Sequence, residues 1–498
     1  MAMAMAMLVP WLAWLLVSLL AAYFLELYAH ARRGLPPGPR PLPLIGNLHL
    51  VGDQPHRSLA RLAQLHGPLM SLRLGAVTTV VISSPDVARE FLQRHDAVFA
   101  NRFVPHAVGD HADNSVPWLP HSARWRALRK IMATELFAPQ RLDALQHLRR
   151  HKVEELVAHV RLLALQGSAV DVGRVAFATS LNLLSRTVFS CDLTNLDDDH
   201  AGSRGFQEVV TEIMEVAASP NLSDLFPALA WADLQGLRRR LAKLFARLHQ
   251  VFDVEIRRRL CERDACDPRR NDFLDVLLDT TTSTALGRDT LLSLFTDLFA
   301  AGSDTSSSTV EWALTELLRN PVSMVKTCNE LRAAIGSARN IEESEIDQLP
   351  YLQAVIKETF RLHPPVPLLL PRRAEATTEI MGHMIPKGAR VLVNVWAMGR
   401  DKDIWPEPEK FMPERFLERT TTDFKGGNFE LIPFGAGRRI CPGMPLASRM
   451  VHLVLASLLN QFKWRLPNEL ETNGIDMAEN FGVTLKKATP LCAIATPV

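Results

Sequence analysis

The chain has few cysteines, and none of them forms a C-x-x-C pair. Its six cysteines are spread over 498 residues, which disfavours a disulfide framework, structural zinc and redox dithiols. It also has almost no net charge, at +2, so the overall charge does not indicate a nucleic-acid partner. No internal repeat of roughly 20 to 50 residues is present, which excludes a solenoid. The composition, 47% hydrophobic and 22% charged, is that of a globular protein in a reducing compartment.

Charged side chains are missing from the N-terminus. Residues 1–25 contain none, and "LVPWLAWLLVSLLAAYFL" is apolar over a length that can cross a bilayer as a helix. A signal peptide needs a basic first region, which "MAMAMAM" does not supply. Arg32 and Arg33 follow the apolar run, which favours a cytosolic location for what comes after. We therefore predict a single-pass membrane anchor over residues 1–30.

The rest of the chain divides into a hinge and a body. The segment "LPPGPRPLPLIGN" is rich in proline, so residues 31–47 are predicted to be a stiff, basic hinge. Residues 69–83 predict a β-hairpin around Gly75, and the strand pattern returns at 389–399. Helical periodicity dominates elsewhere, with Pro85 at one helix start. The body, residues 48–498, is predicted to be mainly α with a smaller β portion.

The segment "PFGAGRRICPG" places Cys441 beside Arg439 and Pro442. Neighbouring arginines lower the pKa of a thiol, so this sulfur is predicted to be a thiolate, the form that binds metals. The alternative is a buried free cysteine that packs as a small hydrophobe.

Residues 294–318 predict an apolar helix that carries Gly302 and several hydroxyl groups. Ala301, Asp304 and Thr305 are three and four residues apart, and we expect them to share one face. An acid beside an alcohol can hold water and relay protons there; the alternative is a polar patch that the helix tolerates.

Two further segments pair charged residues at helical spacing. Glu358 and Arg361 lie in "KETFRLHPP", and Arg415 in "FMPERF"; a buried glutamate with two arginines predicts a structural clamp rather than a catalyst. Trp125 and Arg129 in "ARWRALRK" are four residues apart, which by itself indicates only an ordinary basic helix.

The order of these segments is informative. "WRALR", "AGSDT", "ETFR", "FMPERF" and "FGAGRRICPG" occur in this order, and the chain resembles the cytochrome P-450 superfamily of haem-thiolate monooxygenases. The anchor and proline-rich segment resemble those of plant endoplasmic-reticulum members. "SDLFPALAWADLQGLRRR", "FGVTLKKATPL" and "DNSVPWLP" are most similar to the plant terpenoid hydroxylases that include geraniol and diterpene oxidases.

The resemblance implies haem b, iron protoporphyrin IX, with Cys441 as the iron ligand and Phe434 beside it. It assigns Trp125, Arg129, Arg372 and Arg439 to the haem propionates, and Glu358, Arg361 and Arg415 to a proximal clamp. Asp304 and Thr305 are expected to deliver protons to O2. Electrons are expected from NADPH through a membrane-bound flavoprotein reductase, for which the basic candidates are Arg124, Arg126, Lys130 and Arg438. A solvated charged surface explains these last four equally well.

The substrate pocket implied by the resemblance is apolar, and its residues are Val116, Trp118, Leu119, Ala301, Val366, Leu368, Leu369 and Phe481. Such a pocket favours a hydrophobic small molecule, although some of these side chains can simply pack the core. The predicted function is hydroxylation of a hydrophobic plant metabolite, a terpenoid first, at the endoplasmic-reticulum membrane. The alternatives are a flavonoid or alkaloid hydroxylase, a haem-thiolate isomerase or dehydratase that needs no reductase, and a membrane-tethered binding protein with an inert Cys441.

Overall fold

The structure is a computed structural model that describes residues 34–194, 202–265, 267–284, 287–468 and 474–498, together with positions 11, 14, 17, 18 and 472. Its described part is mainly helical, as predicted. The α-helices, numbered in chain order, are α1 Pro55–His66, α2 Pro85–Arg89, α3 Ala123–Ile131, α4 Pro139–Ala144, α5 Gln146–Leu165, α6 Val172–Phe189, α7 Gly202–Ala218, α8 Leu222–Leu225, α9 Leu237–Asp264, α10 Phe273–Thr284, α11 Arg288–Arg319, α12 Pro321–Ala334, α13 Pro350–Leu362, α14 Val395–Met398, α15 Arg415–Glu418 and α16 Met444–Gln461.

The strands are short and form four small sheets. They are β1 Leu69–Leu74, β2 Val77–Ile82, β3 Asn101–Arg102, β4 Val170–Asp171, β5 Arg372–Arg373, β6 Thr378–Ile380, β7 His383–Ile385, β8 Arg390–Val393, β9 Phe462–Arg465, β10 Glu479–Asn480, β11 Lys486–Lys487 and β12 Cys492–Pro497. The largest sheet has the order β1-β2-β8-β5-β3, in which only the β2–β8 pair is parallel. The second has the order β4-β12-β9, and β6–β7 and β10–β11 are separate pairs.

The predicted hairpin around Gly75 is confirmed, with Leu69 opposite Ile82 and Leu74 opposite Val77. The prediction of strand through residue 399 is wrong in its second half. The Oδ1 of Asn394 accepts a hydrogen bond from the N–H of Ala397 at 3.0 Å, and this cap starts a helical turn where the apolar pattern suggests a strand.

The long helix α11 lies at the centre of the helical core. It packs along α6 and also contacts α13 and α16. Gly302 permits the close approach of α6, because a Cβ at this position would lie 2.7 Å from the Cδ1 of Leu184. This glycine therefore has a packing role that its local cost to helix stability did not reveal.

The N-terminal prediction falls largely outside the described residues. Only positions 11, 14, 17 and 18 of the proposed anchor are described, and they are helical and exposed. Among the described residues, no helix combines the length and hydropathy needed to cross a membrane. Part of the predicted hinge lies against β1, since the N–H of Ser71 donates to the carbonyl oxygen of Pro37 at 2.8 Å.

Candidate active site

Cys441 lies in a tight loop before α16. Its backbone N–H donates to the carbonyl oxygen of Phe434 at 2.9 Å. Gly437 in the same loop has a φ of +68°, and a Cβ there would lie 1.9 Å from the carbonyl oxygen of Leu92. The glycine is therefore needed both for its conformation and for the close backbone contact. The loop places the Cys441 side chain at the wall of an internal cavity.

Burial raises the pKa of the Cys441 thiol, although the N–H groups of Gly443 and Met444 and the charge of Arg129 oppose this shift. In the polypeptide without a metal, the effect of burial on this pKa is larger than the opposing effects of Arg129 and the two N–H groups. Arg439 donates to backbone carbonyl oxygens across the cavity instead. A metal cation deprotonates a coordinating thiol outright, so metal ligation rather than the flanking arginines can supply the thiolate.

The cavity has a volume of about 280 Å³ and lies between the cysteine loop and α11. Most residues that the sequence assigned to a site line it together. They are Val116, Trp125, Arg129, Ala301, Thr305, Val366, Leu369, Arg372, Phe434, Arg439 and Cys441.

Four predicted pocket residues are not among the residues that line the cavity. Trp118 packs against the helical core, and the side chain of Leu119 is buried within that core. Leu368 packs against the cluster beneath β1 and β2, and the ring of Phe481 stacks on His56 at 5.5 Å. Each of the four lies in a loop segment, where neighbouring side chains point in different directions that no sequence period predicts.

Four guanidinium groups line the cavity, those of Arg102, Arg129, Arg372 and Arg439. Their hydrogen bonds go to backbone carbonyl oxygens: Arg102 donates to Leu370 at 2.8 Å, and Arg372 donates to Ala436 at 3.2 Å. None of the four forms an ion pair with a carboxylate in the described part of the chain. This end of the cavity therefore carries positive charge that the protein does not neutralise.

Burial lowers the pKa of these arginines, and mutual repulsion adds to this effect for Arg102 and Arg439. Burial lowers the pKa of Arg372 to about 10. Burial, and then the charges of Arg372 and Arg129, lower the pKa of Arg439 to about 10. Burial and the charges of the other three arginines also lower the pKa of Arg102. An anionic ligand would relieve this repulsion.

One face of α11 forms the opposite wall, with Ala301, Gly302, Thr305 and Ser306 lining the cavity. The hydroxyl of Thr305 donates to the carbonyl oxygen of Ala301 at 2.7 Å. The predicted hydroxyl is therefore in the cavity, but it is bonded to its own helix.

Asp304 does not line the cavity, and the prediction that it shares a face with Ala301 and Thr305 is wrong. Successive helical residues are about 100° apart, and Asp304 points to the side of α11 that packs on β11. It is fully buried and forms an ion pair with Lys486. The Nζ of Lys486 also donates to the Oγ1 of Thr211 at 3.0 Å.

The predicted clamp is assembled in full. Arg361 forms a bidentate pair with the two carboxylate oxygens of Glu358, at 2.7 and 2.8 Å, and Arg415 donates to Glu358 at 3.1 Å. The N–H of Met412 adds a fourth donor at 2.7 Å. The side chains of Glu358 and Arg361 are completely buried, so the motif is structural in the sense that the sequence indicated.

The cytochrome P450 family model matches residues 36–492. The chain belongs to the cytochrome P450 family. It is 50% identical over 489 residues to geraniol 8-hydroxylase of Catharanthus roseus, a match that covers 96% of this chain and 98% of that protein. It is also 50% identical over 478 residues to geraniol 8-hydroxylase of Swertia mussotii, with 95% and 96% covered. A 7-ethoxycoumarin O-deethylase of Helianthus tuberosus is 47% identical over 470 residues, with 94% and 95% covered.

A P450 is a haem-thiolate monooxygenase, and the cavity of this one fits its cofactor. The Cys441 side chain reaches one wall, and arginine forks suited to carboxylates lie at one end. Most other lining side chains are apolar, as a porphyrin requires. The four guanidinium groups are the decisive observation, because haem brings two propionates to a place where no described carboxylate forms an ion pair with them.

Two functional candidates of this P450 were not found by reading the sequence. Arg102 lies in β3 within "FANRF", where an arginine among apolar residues was a usable signal. Asp297 is the one acidic residue among those lining the cavity, and it lies four residues before Ala301 on α11. A helical projection of "TDLFAAGSDT" would have placed Asp297, Ala301 and Thr305 on one stripe.

Proposed function

We propose that this P450 hydroxylates a hydrophobic plant metabolite, with a terpenoid alcohol as the leading candidate. The reaction would use O2 and electrons that a flavoprotein reductase delivers from NADPH. The observation that carries the proposal is the composition of this cavity, which combines Cys441, four guanidinium groups without an ion pair among the described residues, and a lining that is otherwise mainly apolar. The names of the two geraniol 8-hydroxylases support the substrate class. The chain is similar to them over nearly its whole length.

We propose Cys441 as the ligand of the haem iron, with Phe434 packing beside it. Trp125, Arg129, Arg372 and Arg439 would hold the propionates, and Arg102 joins them on the strength of its position in the cavity. When bound, thiolate-ligated haem supplies the O2 activation that inserts one oxygen atom into a C–H bond. The buried clamp of Glu358, Arg361 and Arg415 would keep the cysteine loop and its supporting helices in register.

The substrate would occupy the apolar part of the cavity. Leu183, Leu184, Met214, Leu298, Val366 and Val483 are among the residues that line it. These side chains exclude water and bind a hydrophobic ligand without fixing its orientation, which has to come from a few polar groups.

Thr305 and Asp304 would deliver protons through ordered water rather than by direct contact. The Thr305 hydroxyl faces the cavity, whereas Asp304 lies on another side of the helix and pairs with Lys486, whose side chain is 22% exposed. Among the described residues, the buried Ser303 hydroxyl, the Oδ2 of Asp304 and the Thr484 hydroxyl have no hydrogen-bond partner. Such atoms favour bound water, because leaving them unpaired costs about 1–3 kcal/mol each. The proposed proton route therefore runs from Lys486 through Asp304 and ordered water to the Thr305 hydroxyl.

The reductase would dock on exposed basic side chains near the cysteine loop. Arg126, Lys130 and Arg438 are exposed, although Arg438 also pairs with Asp96 at 3.1 Å. Arg124 is a weaker candidate, because its guanidinium donates to the hydroxyl of Thr290 at 2.7 Å. Docking through such groups should depend on ionic strength.

Membrane attachment is proposed to use residues 1–30 as an anchor, together with an apolar edge that the hinge, residues 31–47, shares with the body, residues 48–498. The apolar edge consists of Leu42, Leu44, Ile45, Leu222, Leu229, Trp231 and Leu234, all exposed. Its parts are joined by backbone hydrogen bonds from Gly75 to Ile45 at 3.1 Å and from Ala76 to Leu225 at 2.8 Å. Exposed apolar patches of this kind mark membrane or protein contact sites. The endoplasmic-reticulum membrane is the proposed location.

The substrate test is an assay of reductase-coupled membranes with terpene olefins, terpene alcohols, flavonoids, alkaloids and 7-ethoxycoumarin. We expect NADPH-dependent hydroxylation of a terpene alcohol with one oxygen atom from O2. Conversion of the aromatic substrates alone would favour the flavonoid or alkaloid alternative. Turnover of a peroxide without reductase would favour an isomerase or dehydratase. A reduced, CO-treated sample without the red-shifted Soret band would leave only a binding protein.

The membrane test compares three proteins: the full chain, a truncation lacking residues 1–25, and that truncation with Trp231→Ser. Part of the truncated protein should be released from membranes, and it should retain its haem. The added substitution should release more of it, since Trp231 is 86% exposed. Loss of haem on truncation would place the N-terminal stretch in the folded core instead.

A further inference from the structure

Asp297 is the one acidic residue among those that line the cavity, most of which are apolar. It lies on α11, on the same stripe as Ala301 and Thr305, and all three line the cavity. Eight residues separate Asp297 from Thr305, which corresponds to about 12 Å along the helix axis. The carboxylate and the proposed oxygen-handling hydroxyl are therefore at opposite ends of one wall.

The carboxylate receives three contacts from the loop that precedes α3. The hydroxyl of Ser115 donates to Oδ1 at 2.7 Å, the N–H of Val116 donates to Oδ2 at 2.8 Å, and the Nε2 of His111 lies 3.4 Å from Oδ1. An ionised carboxylate offers about four acceptor positions. One acceptor position on Oδ2 remains for a ligand.

The charge of Asp297 is also poorly compensated. Its side chain is 8% exposed, and among the described residues its only ion-pair partner is His111, which carries a charge only when protonated. A buried carboxylate surrounded mainly by neutral donors gains from each further hydrogen bond, because bonds to charged groups are about twice as strong as neutral ones.

We propose that Asp297 determines specificity by accepting a hydrogen bond from the hydroxyl group of the substrate. With that hydroxyl at Asp297, a chain of several carbon atoms extends along α11, and its far end lies beside Thr305. The enzyme then oxidises terpenoid alcohols at the end remote from their hydroxyl group. This inference rests on the proposed function and adds to it the feature of the substrate that is recognised.

A purely structural role for Asp297 makes a different prediction. If the carboxylate only holds the loop of Ser115 and Val116 over the cavity, weakening its hydrogen bonds to the loop should change the affinity for all ligands of similar size by the same factor. Ser115→Ala is the matched control, since it removes one loop contact and leaves the carboxylate in place. Asp297→Asn is the test variant, because an amide keeps an acceptor for the N–H of Val116 and can donate to the Ser115 oxygen.

The experiment titrates the full-length holoenzyme in membranes with geraniol and with geranyl methyl ether, following the Soret shift. The ether keeps the skeleton and the oxygen but cannot donate. We expect the wild type to bind geraniol about tenfold more tightly than the ether, relative to their partitioning into the membrane. This preference should fall at least about threefold in Asp297→Asn and should not fall in Ser115→Ala.

A wild type without the preference, or an Asp297→Asn protein that retains it, would overturn the inference; so would an equal loss in Ser115→Ala. If Asp297→Asn gives no CO-difference band, Asp297→Ser takes its place with the same expectations. The proposed function is judged separately, by oxidation products of the wild type. The Soret titration gives its answer even if geraniol is bound and not converted.

Discussion

The two sides of the cavity differ in how their buried polar groups are satisfied. On the cysteine side, Glu358 accepts hydrogen bonds from the Nε and Nη2 of Arg361, the Nε of Arg415 and the N–H of Met412. On the α11 side, the Ser303 hydroxyl, the Oδ2 of Asp304 and the Thr484 hydroxyl are buried without a hydrogen-bond partner in the described part of the chain. One side is a closed network, and the other has polar atoms still able to bind water or ligand.

This difference corresponds to two tasks. A cysteine loop must hold one geometry, and a fully paired buried network resists rearrangement because each broken bond leaves an unpaired charge. A proton route and a substrate wall must exchange partners during turnover, which a closed network would prevent. We therefore expect substitutions on the cysteine side to affect haem content and stability, and those on the α11 side to affect coupling and selectivity.

The largest effect is expected for Cys441→Ala. Without the sulfur no thiolate can bind the iron, so the reduced, CO-treated protein should lose its red-shifted Soret band entirely. Substitution of Cys191 or Cys328, which are also free cysteines, should leave the band intact. A normal band from Cys441→Ala would remove the basis for the proposed function.

The clamp should show the next largest effect. Arg361→Met leaves Glu358 buried and short of its bidentate partner, which should lower the free energy of unfolding by about 3–5 kcal/mol. Arg419→Met is the control, because its pair with Glu430 is more than a third exposed on both sides and such pairs contribute about 0–1 kcal/mol. Urea unfolding followed by loss of the haem spectrum measures both.

If Arg361→Met and Arg419→Met destabilise the protein equally, the buried network is not what distinguishes the cysteine side. If Arg361→Met keeps its stability but loses haem, the clamp acts on the cofactor loop and not on the fold.

The sequence identified the cysteine side well because its motifs are local. Glu358 and Arg361 are one helical turn apart, and the glycines of the cysteine loop are needed for backbone geometry that only nearby residues create. The same holds for the β1–β2 hairpin, whose turn and alternation lie within fifteen residues. Such features follow from spacing and residue type.

The α11 side could be predicted only in part. Its lining residues Ala301 and Thr305 were found, but the direction of Asp304 depends on β11, which lies about 180 residues later. Trp118, Leu368 and Phe481 lie in irregular segments whose side-chain directions follow from packing. Residue type and helical spacing offered a partial signal for Arg102 and Asp297, but their location in one cavity depends on distant segments.

On the α11 side, the largest effect is expected on coupling, which is the amount of product formed per NADPH consumed. Thr305→Ala should retain haem, the CO band and substrate binding, yet lower the product formed per NADPH consumed, with hydrogen peroxide released instead. A positioned proton donor contributes about a hundred- to ten-thousand-fold, and we expect the lower end because bound water can replace part of the route.

Asp304→Asn should slow turnover for the same reason, and Lys486→Met should resemble it if the ion pair is part of the route. The comparison of product, NADPH and peroxide in the three variants tests the order of the relay. A fully coupled Thr305→Ala protein would mean that Ser306 or water alone carries the protons.

The smallest effect is expected from a pair of apolar substitutions two residues apart. Val366 lines the cavity, whereas Leu368 packs against the cluster beneath β1 and β2. A missing methylene in an apolar pocket is worth about 1–3 kcal/mol of discrimination. Val366→Ala should therefore shift the competition between geraniol and the longer farnesol by about tenfold toward farnesol. Leu368→Ala should lower stability and leave that ratio unchanged. A shift in both variants would mean that the segment moves as a unit, and that the wall of the cavity is not set residue by residue.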